Sequence, residues 1–150
     1  LLLGKADSAK YVAEEAIKQK RSVHIALFDT KIINSFSFEP NNANKDELLD
    51  FCLSWECNGG TSFPAVLNYA MQNLTTDSRA DILLITDGQD FVSDELSKDF
   101  REWKDQTGVE MNCFCIGEMS TTLLSFADDV QEIDVHNDAS SSDLFQNVLL

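Results

Sequence analysis

The segment that most constrains the fold of this chain is ADILLITDGQD, residues 80–90. Residues 82–86 are almost wholly apolar, and the run ends abruptly at Asp87 and Gly88. A short apolar run bounded by turn residues is typical of a strand buried on both faces, as at the centre of a parallel sheet. We therefore expect a parallel sheet covered by helices, with a polar turn where this strand ends.

Strand and helix patterns alternate along the rest of the chain. Further strands are predicted at residues 22–29, 31–38, 109–116 and 130–136, the first two joined by a tight turn near Thr30. Helical patterns are predicted at residues 7–20, 46–55, 63–74, 94–107, 120–129 and 140–150. This order indicates an α/β fold: a doubly wound, mainly parallel sheet with one antiparallel edge strand and helices on both faces. The length favours a single domain over residues 1–150.

The charge balance excludes some classes of partner. The net charge is -15, from 11 basic and 26 acidic residues. A surface this acidic repels phosphate backbones, so nucleic-acid binding is not expected. The apolar runs are only as long as strands, so no membrane span is expected either.

The chain has four cysteines, at positions 52, 57, 113 and 115. Their spacing does not match the paired C-x₂-C pattern of zinc sites. Cys113 and Cys115 alternate within an apolar strand, so we expect both to be buried thiols on one face of the sheet. The absence of a dense disulfide pattern favours a reducing compartment, and we expect a cytoplasmic protein.

In open α/β sheets, ligands bind at the loops beyond the carboxyl ends of the strands. Two polar segments of this chain are predicted to lie at such loops. Asp87 follows a buried strand, and Thr61 and Ser62 open a helix after Gly59 and Gly60. A carboxylate and a hydroxyl are oxygen donors that suit a hard cation such as Mg²⁺. The structural alternative is that the hydroxyl residues cap the helix and that Asp87 belongs only to a turn.

Three segments, FDTKI, NGGTSFPAVL and DILLITDGQD, in this order and spacing resemble the von Willebrand factor A (VWA) domain. The resemblance covers essentially all 150 residues. It looks closest to the intracellular CoxE-like and ViaA-like proteins, which act with MoxR-type AAA+ ATPases. The resemblance implies a Rossmann-like fold and a non-catalytic protein-protein interaction module.

In the VWA family, a metal ion-dependent adhesion site (MIDAS) takes ligands from three loops, and an acidic side chain of the partner completes the coordination. By resemblance, Thr61 and Asp87 match the second and third loops and would hold Mg²⁺ or Mn²⁺. Five further residues are expected to support these loops: Gly59, Gly60, Ser62, Gly88 and Asp90. Of these, Ser62 and Asp90 match no position that the family motif requires.

The first metal loop of the family, D-x-S-x-S, is not found before the helix at 7–20. Counting from Asp7, the motif would need serines where the chain has Ala9 and Tyr11. No pattern for the first central strand is found there either, so we expect both the strand and the loop to lie just upstream of the chain. Without them, we expect metal to bind weakly or not at all. Residues 138–142 fit D-x-S-x-S literally, but they precede the last helix and are interpreted as its cap.

Other functions are open on the sequence alone. An extracellular adhesion-type VWA domain is one alternative. A Rossmann-like nucleotide-binding enzyme is another, although neither phosphate-binding glycine loop nor nucleophile elbow occurs. A phosphoacceptor role for Asp87, as in receiver domains, lacks the expected early acidic pair. His24 and His136 are interpreted as structural.

Overall fold

The computed structural model describes residues 2–3, 18–20, 23–39, 46–47, 50–51, 60–74 and 81–133. Most of the helix expected at 7–20, the final helix at 140–150, Gly59, two of the cysteines and the motif at 138–142 lie outside these residues. The strands are β1 (Leu2–Leu3), β2 (Val23–Phe28), β3 (Ile32–Phe38), β4 (Ile82–Thr86), β5 (Met111–Ile116) and β6 (Asp129–Ile133). The helices are α1 (Phe63–Asn73), α2 (Asp94–Thr107) and a 3₁₀ helix, Thr121–Ser125.

The strands form one six-stranded sheet in the order β3-β2-β1-β4-β5-β6. Only the β2–β3 pair at one edge is antiparallel, and the other neighbours are parallel. This confirms the predicted α/β fold with a mainly parallel sheet and one antiparallel edge strand. None of the described helices is long and apolar enough to cross a bilayer.

The sheet buries apolar side chains on both faces. All five residues of β4 are buried, as the continuous apolar run predicted. On one face, α1 and α2 pack over the sheet, and Phe63 and Phe100 are fully buried in one cluster with side chains of β2, β4 and β5. On the other face, Phe51 lies with its ring centroid 5.6 Å from that of Phe36.

The two cysteines of β5 are core residues, as expected. Cys113 and Cys115 are buried free thiols that belong to the same cluster as α1 and α2. Burial raises the pKa of both thiols, because a thiolate is poorly solvated among apolar side chains.

The central position of the sheet differs from the expectation. The sequence suggested that the first central strand is missing, but β1 occupies that place between β2 and β4. Leu2 pairs with Ile25 on one side and with Leu83 on the other. Two residues are too few to be identified as a strand from sequence, since their position depends on pairing with distant segments.

The segment between β5 and β6 also differs in detail. The expected helix at 120–129 is a 3₁₀ turn of five residues, which buries Leu123. The ion pair beside it joins Lys104 of α2 to Asp128 at 2.8 Å, although the lysine side chain is only 7% exposed. Asp128 also accepts the backbone N–H of Met111 at 2.7 Å. Through these two contacts, Asp128 links α2 to the start of β5.

Candidate functional site

The candidate site lies at the edge of the sheet where β2, β4 and β5 end. Asp87 directly follows β4 and is exposed, whereas Thr86 before it is 3% exposed. The hydroxyl of Thr86 accepts the backbone N–H of Gly88 at 3.1 Å. The turn predicted at Asp87 and Gly88 is therefore held by a buried side chain, and it presents Asp87 at the edge.

The loop before α1 reaches the same edge. The backbone N–H of Ser62 donates to the carbonyl of Asp29, just after β2, at 2.8 Å. The side chain of Ser62 caps α1 by accepting the N–H of Ala65 at 3.3 Å, and Pro64 lies in the first turn. The capping role weighed for Ser62 from the sequence is thus what the structure shows.

Thr61 packs directly against the turn after β4. A Cβ atom placed on Gly88 would lie 2.7 Å from Thr61 Cβ and closer still to the Thr61 hydroxyl oxygen. Only glycine leaves room for such an approach. The structure therefore places the loop of Thr61 against the turn that carries Asp87. Thr61 and Asp87 are the two residues that the sequence analysis predicted as metal ligands.

Asp90 connects the same two loops through a hydrogen bond. Its Oδ2 accepts the backbone N–H of Phe63, in the first turn of α1, at 2.9 Å. An acidic side chain at this position also interacts favourably with the positive end of the helix dipole. Asp90 therefore positions the loops, and this contact suits the supporting role expected for it.

Two residues beside this turn, Gln89 and Phe91, were not predicted as site residues from the sequence. Gln89 Nε2 donates to the carbonyl of Glu118, after β5, at 3.5 Å. Phe91 is 75% exposed, while its neighbour Val92 is buried. The only signal in the sequence was an aromatic residue directly after the polar turn, which periodicity does not distinguish from a core residue.

The role expected for Gly60 has less support than that of Gly88. Among the described residues, the nearest atom to a Cβ on Gly60 is Cγ2 of Thr30, at 3.9 Å, which is an ordinary contact. The close approach in this site is made at Gly88.

His24 lies away from this edge, near the start of β2. Its Nδ1 contacts the hydroxyl of Ser37 at 2.5 Å, and its Nε2 contacts the hydroxyl of Tyr69 at 2.7 Å. Burial lowers the pKa of His24. With both ring nitrogens engaged, His24 links β2, β3 and α1, which fits a structural residue.

The donor set fits a hard cation in kind but not in number. Thr61 and Asp87 offer a hydroxyl and a carboxylate, which are the kinds of oxygen donor that Mg²⁺ prefers. However, Mg²⁺ is coordinated by six oxygen atoms, and these two side chains supply only part of that number. Within the part of the chain that the structure describes, no group of three or more His, Cys, Asp and Glu residues could hold a metal. A complete site would need donors from outside these residues, together with water or a partner.

Comparisons with known proteins address the fold. No protein-family model matches the chain. The chain is 29% identical over 126 residues to the uncharacterized protein MJ0811 of Methanocaldococcus jannaschii, which covers 81% of this chain. The chain spans only 28% of the length of that protein.

Solved structures are similar over nearly the whole chain. A von Willebrand factor type A protein from Catenulispora acidiphila matches with a TM-score of 0.73 and 13% identity, over 99% of this chain and 41% of that one. The SpRpn10 VWA domain matches with a TM-score of 0.68 and 12% identity, over 95% and 90% of the two chains. BatB from Bacteroides thetaiotaomicron matches with a TM-score of 0.62 and 14% identity, over 98% of this chain and 95% of that one. The chain therefore has the fold of a von Willebrand factor A domain.

Proposed function

We propose that this chain is a non-catalytic protein-interaction module that docks its partner at the loop edge described above. The observation that carries the proposal is the packing of Thr61 against Gly88, which joins the two loops that match VWA metal loops. Hydrogen bonds from Ser62 and Phe63 hold both loops in place before any partner arrives. A preorganised surface loses less conformational entropy on binding.

The proposal includes a divalent metal, Mg²⁺ or Mn²⁺, at this edge. Thr61 and Asp87 would be the ligands that this part of the chain supplies. When bound, the metal supplies a positive charge that an acidic side chain of the partner can coordinate. Metal and partner binding would then be coupled, which suits a surface whose own charge otherwise repels acidic groups.

The remaining metal loop defines two arrangements that an experiment can separate. In the family it follows the first central strand, and after β1 the sequence reads Gly4-Lys5-Ala6-Asp7-Ser8. These residues lie outside the described part of the chain and keep only the last serine of D-x-S-x-S. Either this segment is a metal loop without its acidic ligand, or the motif lies upstream of the chain. Both arrangements give weak metal binding by the 150-residue chain alone.

Restoring the motif tests this directly. The double substitution Gly4→Asp with Ala6→Ser writes D-x-S-x-S after β1, and thermal unfolding is measured with and without about 10 mM Mg²⁺. If this segment is the metal loop, the restored chain gains stability by roughly 2–3 kcal/mol for a Kd about a hundredfold below the metal concentration. Asp87→Asn should remove that gain.

Asp105→Asn on the exposed surface of α2 is the matched control and should keep the gain. A gain that survives Asp87→Asn would contradict the proposed ligand. No gain in the restored chain would contradict the assignment of residues 4–8 as the metal loop.

For the partner, we propose an AAA+ ATPase of the MoxR type, encountered in the cytoplasm. The sequence resemblance to CoxE-like and ViaA-like proteins supports this choice, and the free buried thiols of Cys113 and Cys115 suit a reducing compartment. The net charge of -15 supports a protein partner rather than nucleic acid. Binding to such an ATPase should be lost in Thr61→Val and on chelation of metal. Binding that is indifferent to both changes would contradict docking through the metal.

A further inference from the structure

Two strongly exposed apolar side chains adjoin the start of α2. Phe91 is 75% exposed and Leu124 is 59% exposed, which makes them the two most exposed large apolar residues in the described part of the chain. Phe91 lies two residues before Ser93, the cap of α2. Leu124 precedes Ser125, whose hydroxyl oxygen is 3.1 Å from that of Ser97 in α2. Both apolar side chains therefore adjoin the first two turns of this helix.

Phe91 is held in its exposed position by the residues on either side. Asp90 before it accepts the backbone N–H of Phe63 at 2.9 Å. Val92 after it is 4% exposed and belongs to the core cluster. An aromatic side chain on a backbone fixed in this way loses little conformational entropy on binding. Aromatic residues are also enriched among those that contribute most of the binding energy at protein interfaces.

The charged side chains in the first turn of α2 are acidic. They belong to Asp94 and Glu95, and both residues are exposed. The positive end of the helix dipole, equivalent to about half a charge, offsets only part of these two negative charges. Along α2 the first basic residue is Lys98, and its ammonium group is 3.7 Å from the carboxylate of Glu102. The start of α2 therefore combines exposed apolar surface with negative charge.

This combination favours one kind of partner over others. Nucleic acids and anionic lipids are repelled by a surface of the same charge sign. A second copy of the chain would also bring a net charge of -15 against -15. A basic amphipathic helix supplies what the surface lacks, because its apolar stripe can cover Phe91 and Leu124 while its lysines or arginines face Asp94 and Glu95.

We propose that Phe91, Leu124, Asp94 and Glu95 form a docking surface for a basic amphipathic helix of a protein partner. These four residues are called the α2-start surface. The inference rests on the proposed function for placing the partner at this end of the sheet, and it adds the chemistry of a second contact. The acidic side chain proposed to reach the metal would come from another part of the same partner. Contact with the helix does not require the metal.

Fluorescence anisotropy with a labelled peptide tests the α2-start surface of the full chain in the presence of EDTA. The probe has about 18 residues of leucine and lysine, with the leucines at helical spacing along one face. A scrambled isomer has the same composition and charge but no apolar face. The amphipathic peptide should bind at least tenfold more tightly than the scrambled isomer.

Substitution of the aromatic residue tests the apolar contact. Phe91→Ala should weaken binding of the amphipathic peptide by about tenfold, and Leu124→Ala by about threefold. Ile33→Ala is the matched control, since Ile33 is an exposed apolar residue of β3, and it should leave the Kd unchanged. Circular dichroism confirms that each variant is folded.

Paired charge removals test the acidic contact. Asp94→Asn with Glu95→Gln should weaken binding by about fivefold. Asp105→Asn with Glu110→Gln removes the same charge from exposed positions near the end of α2 and after it, and should have a clearly smaller effect. Equal effects of the two double variants would overturn the proposal, because binding would then depend on net charge alone.

Three other results would also overturn the proposal. The first is equal binding of the amphipathic and scrambled peptides, or binding that Phe91→Ala leaves unchanged. The second is a dimer of the chain alone, seen by sedimentation velocity and abolished by Phe91→Ala, which would assign the surface to a second copy. The third is Phe91-dependent binding to phosphatidylcholine vesicles, which would assign it to a membrane. Because every peptide measurement contains EDTA, failure of the proposed metal site would leave these results unchanged, and loss of peptide binding would leave tests of the metal unaffected.

Discussion

Gly88→Ala should force apart the two loops of the candidate site. The added Cβ would lie 2.7 Å from Thr61 Cβ and 3.1 Å from Thr61 Cγ2, with the hydroxyl oxygen nearer still. Thr61 cannot simply move away, because the next residue, Ser62, is fixed by its 2.8 Å backbone hydrogen bond to Asp29. Overpacking of this kind typically lowers stability by about 1–3 kcal/mol. We expect a loss of about 2 kcal/mol, in the middle of this range, because Thr61 is half-buried rather than part of the closed core.

Urea unfolding followed by tryptophan fluorescence measures this loss. With a slope of about 2 kcal/mol per molar urea, the midpoint should fall by about 1 M. Gly60→Ala is the matched control, because its nearest described neighbour is 3.9 Å away. The free energy of unfolding of that variant should lie within about 0.5 kcal/mol of the wild-type value, or slightly above it, since alanine lowers the conformational entropy of the unfolded chain.

A double-mutant cycle tests whether Thr61 is the cause. In a Thr61→Gly background the clash is absent, so Gly88→Ala should cost at least about 1 kcal/mol less than in the wild type. The packing of the two loops would be refuted if Gly88→Ala had no effect, or if its effect were the same in both backgrounds.

Three further changes probe the supports of the site and the core. Asp128→Asn should lower the free energy of unfolding, measured in urea, by about 2–3 kcal/mol, because it leaves the buried Lys104 cation without its 2.8 Å partner. The loss should be smaller than for a fully buried ion pair, since the Asp128 carboxylate is half-exposed. An unchanged free energy of unfolding would contradict the stabilising role of this ion pair. Asp90→Ala should cost about 1–2 kcal/mol and shift the Phe63 amide resonance, whereas an unshifted resonance would contradict the hydrogen bond. Cys113, whose pKa is raised by burial, should react with a thiol reagent at pH 8 only when the chain unfolds, and rapid reaction in the native state would contradict its burial.

The parts of the fold that sequence predicted are those whose signal is local. The apolar run at residues 82–86 identified β4 because a strand buried on both faces must be apolar throughout. The helical pattern predicted at residues 94–107 has the same bounds as α2, and in the structure Ser93 caps its start while the left-handed Gly108 ends it. These features depend on neighbours within a few residues.

The parts that sequence could not predict depend on distant contacts. The strand β1 has only two residues, and its central place exists only through pairing with β2 and β4. The contact of Thr61 with Gly88 and the bond from Phe63 to Asp90 each join positions 27 residues apart. The family resemblance named Thr61 and Asp87 as ligands, and Asp90 was expected only to support the loops. The packing that unites these loops required the structure.

Location of Mn²⁺ by nuclear magnetic resonance tests the central proposal most directly. A paramagnetic ion broadens nearby amide signals even when it binds weakly, and the net charge of -15 will attract it to many carboxylates. We predict that signals of residues 60–62 and 87–90 broaden at lower Mn²⁺ than those around Asp105, and that Asp87→Asn removes this preference. Equal broadening around Asp105, or a pattern unchanged by Asp87→Asn, would contradict a metal-dependent docking site at this edge.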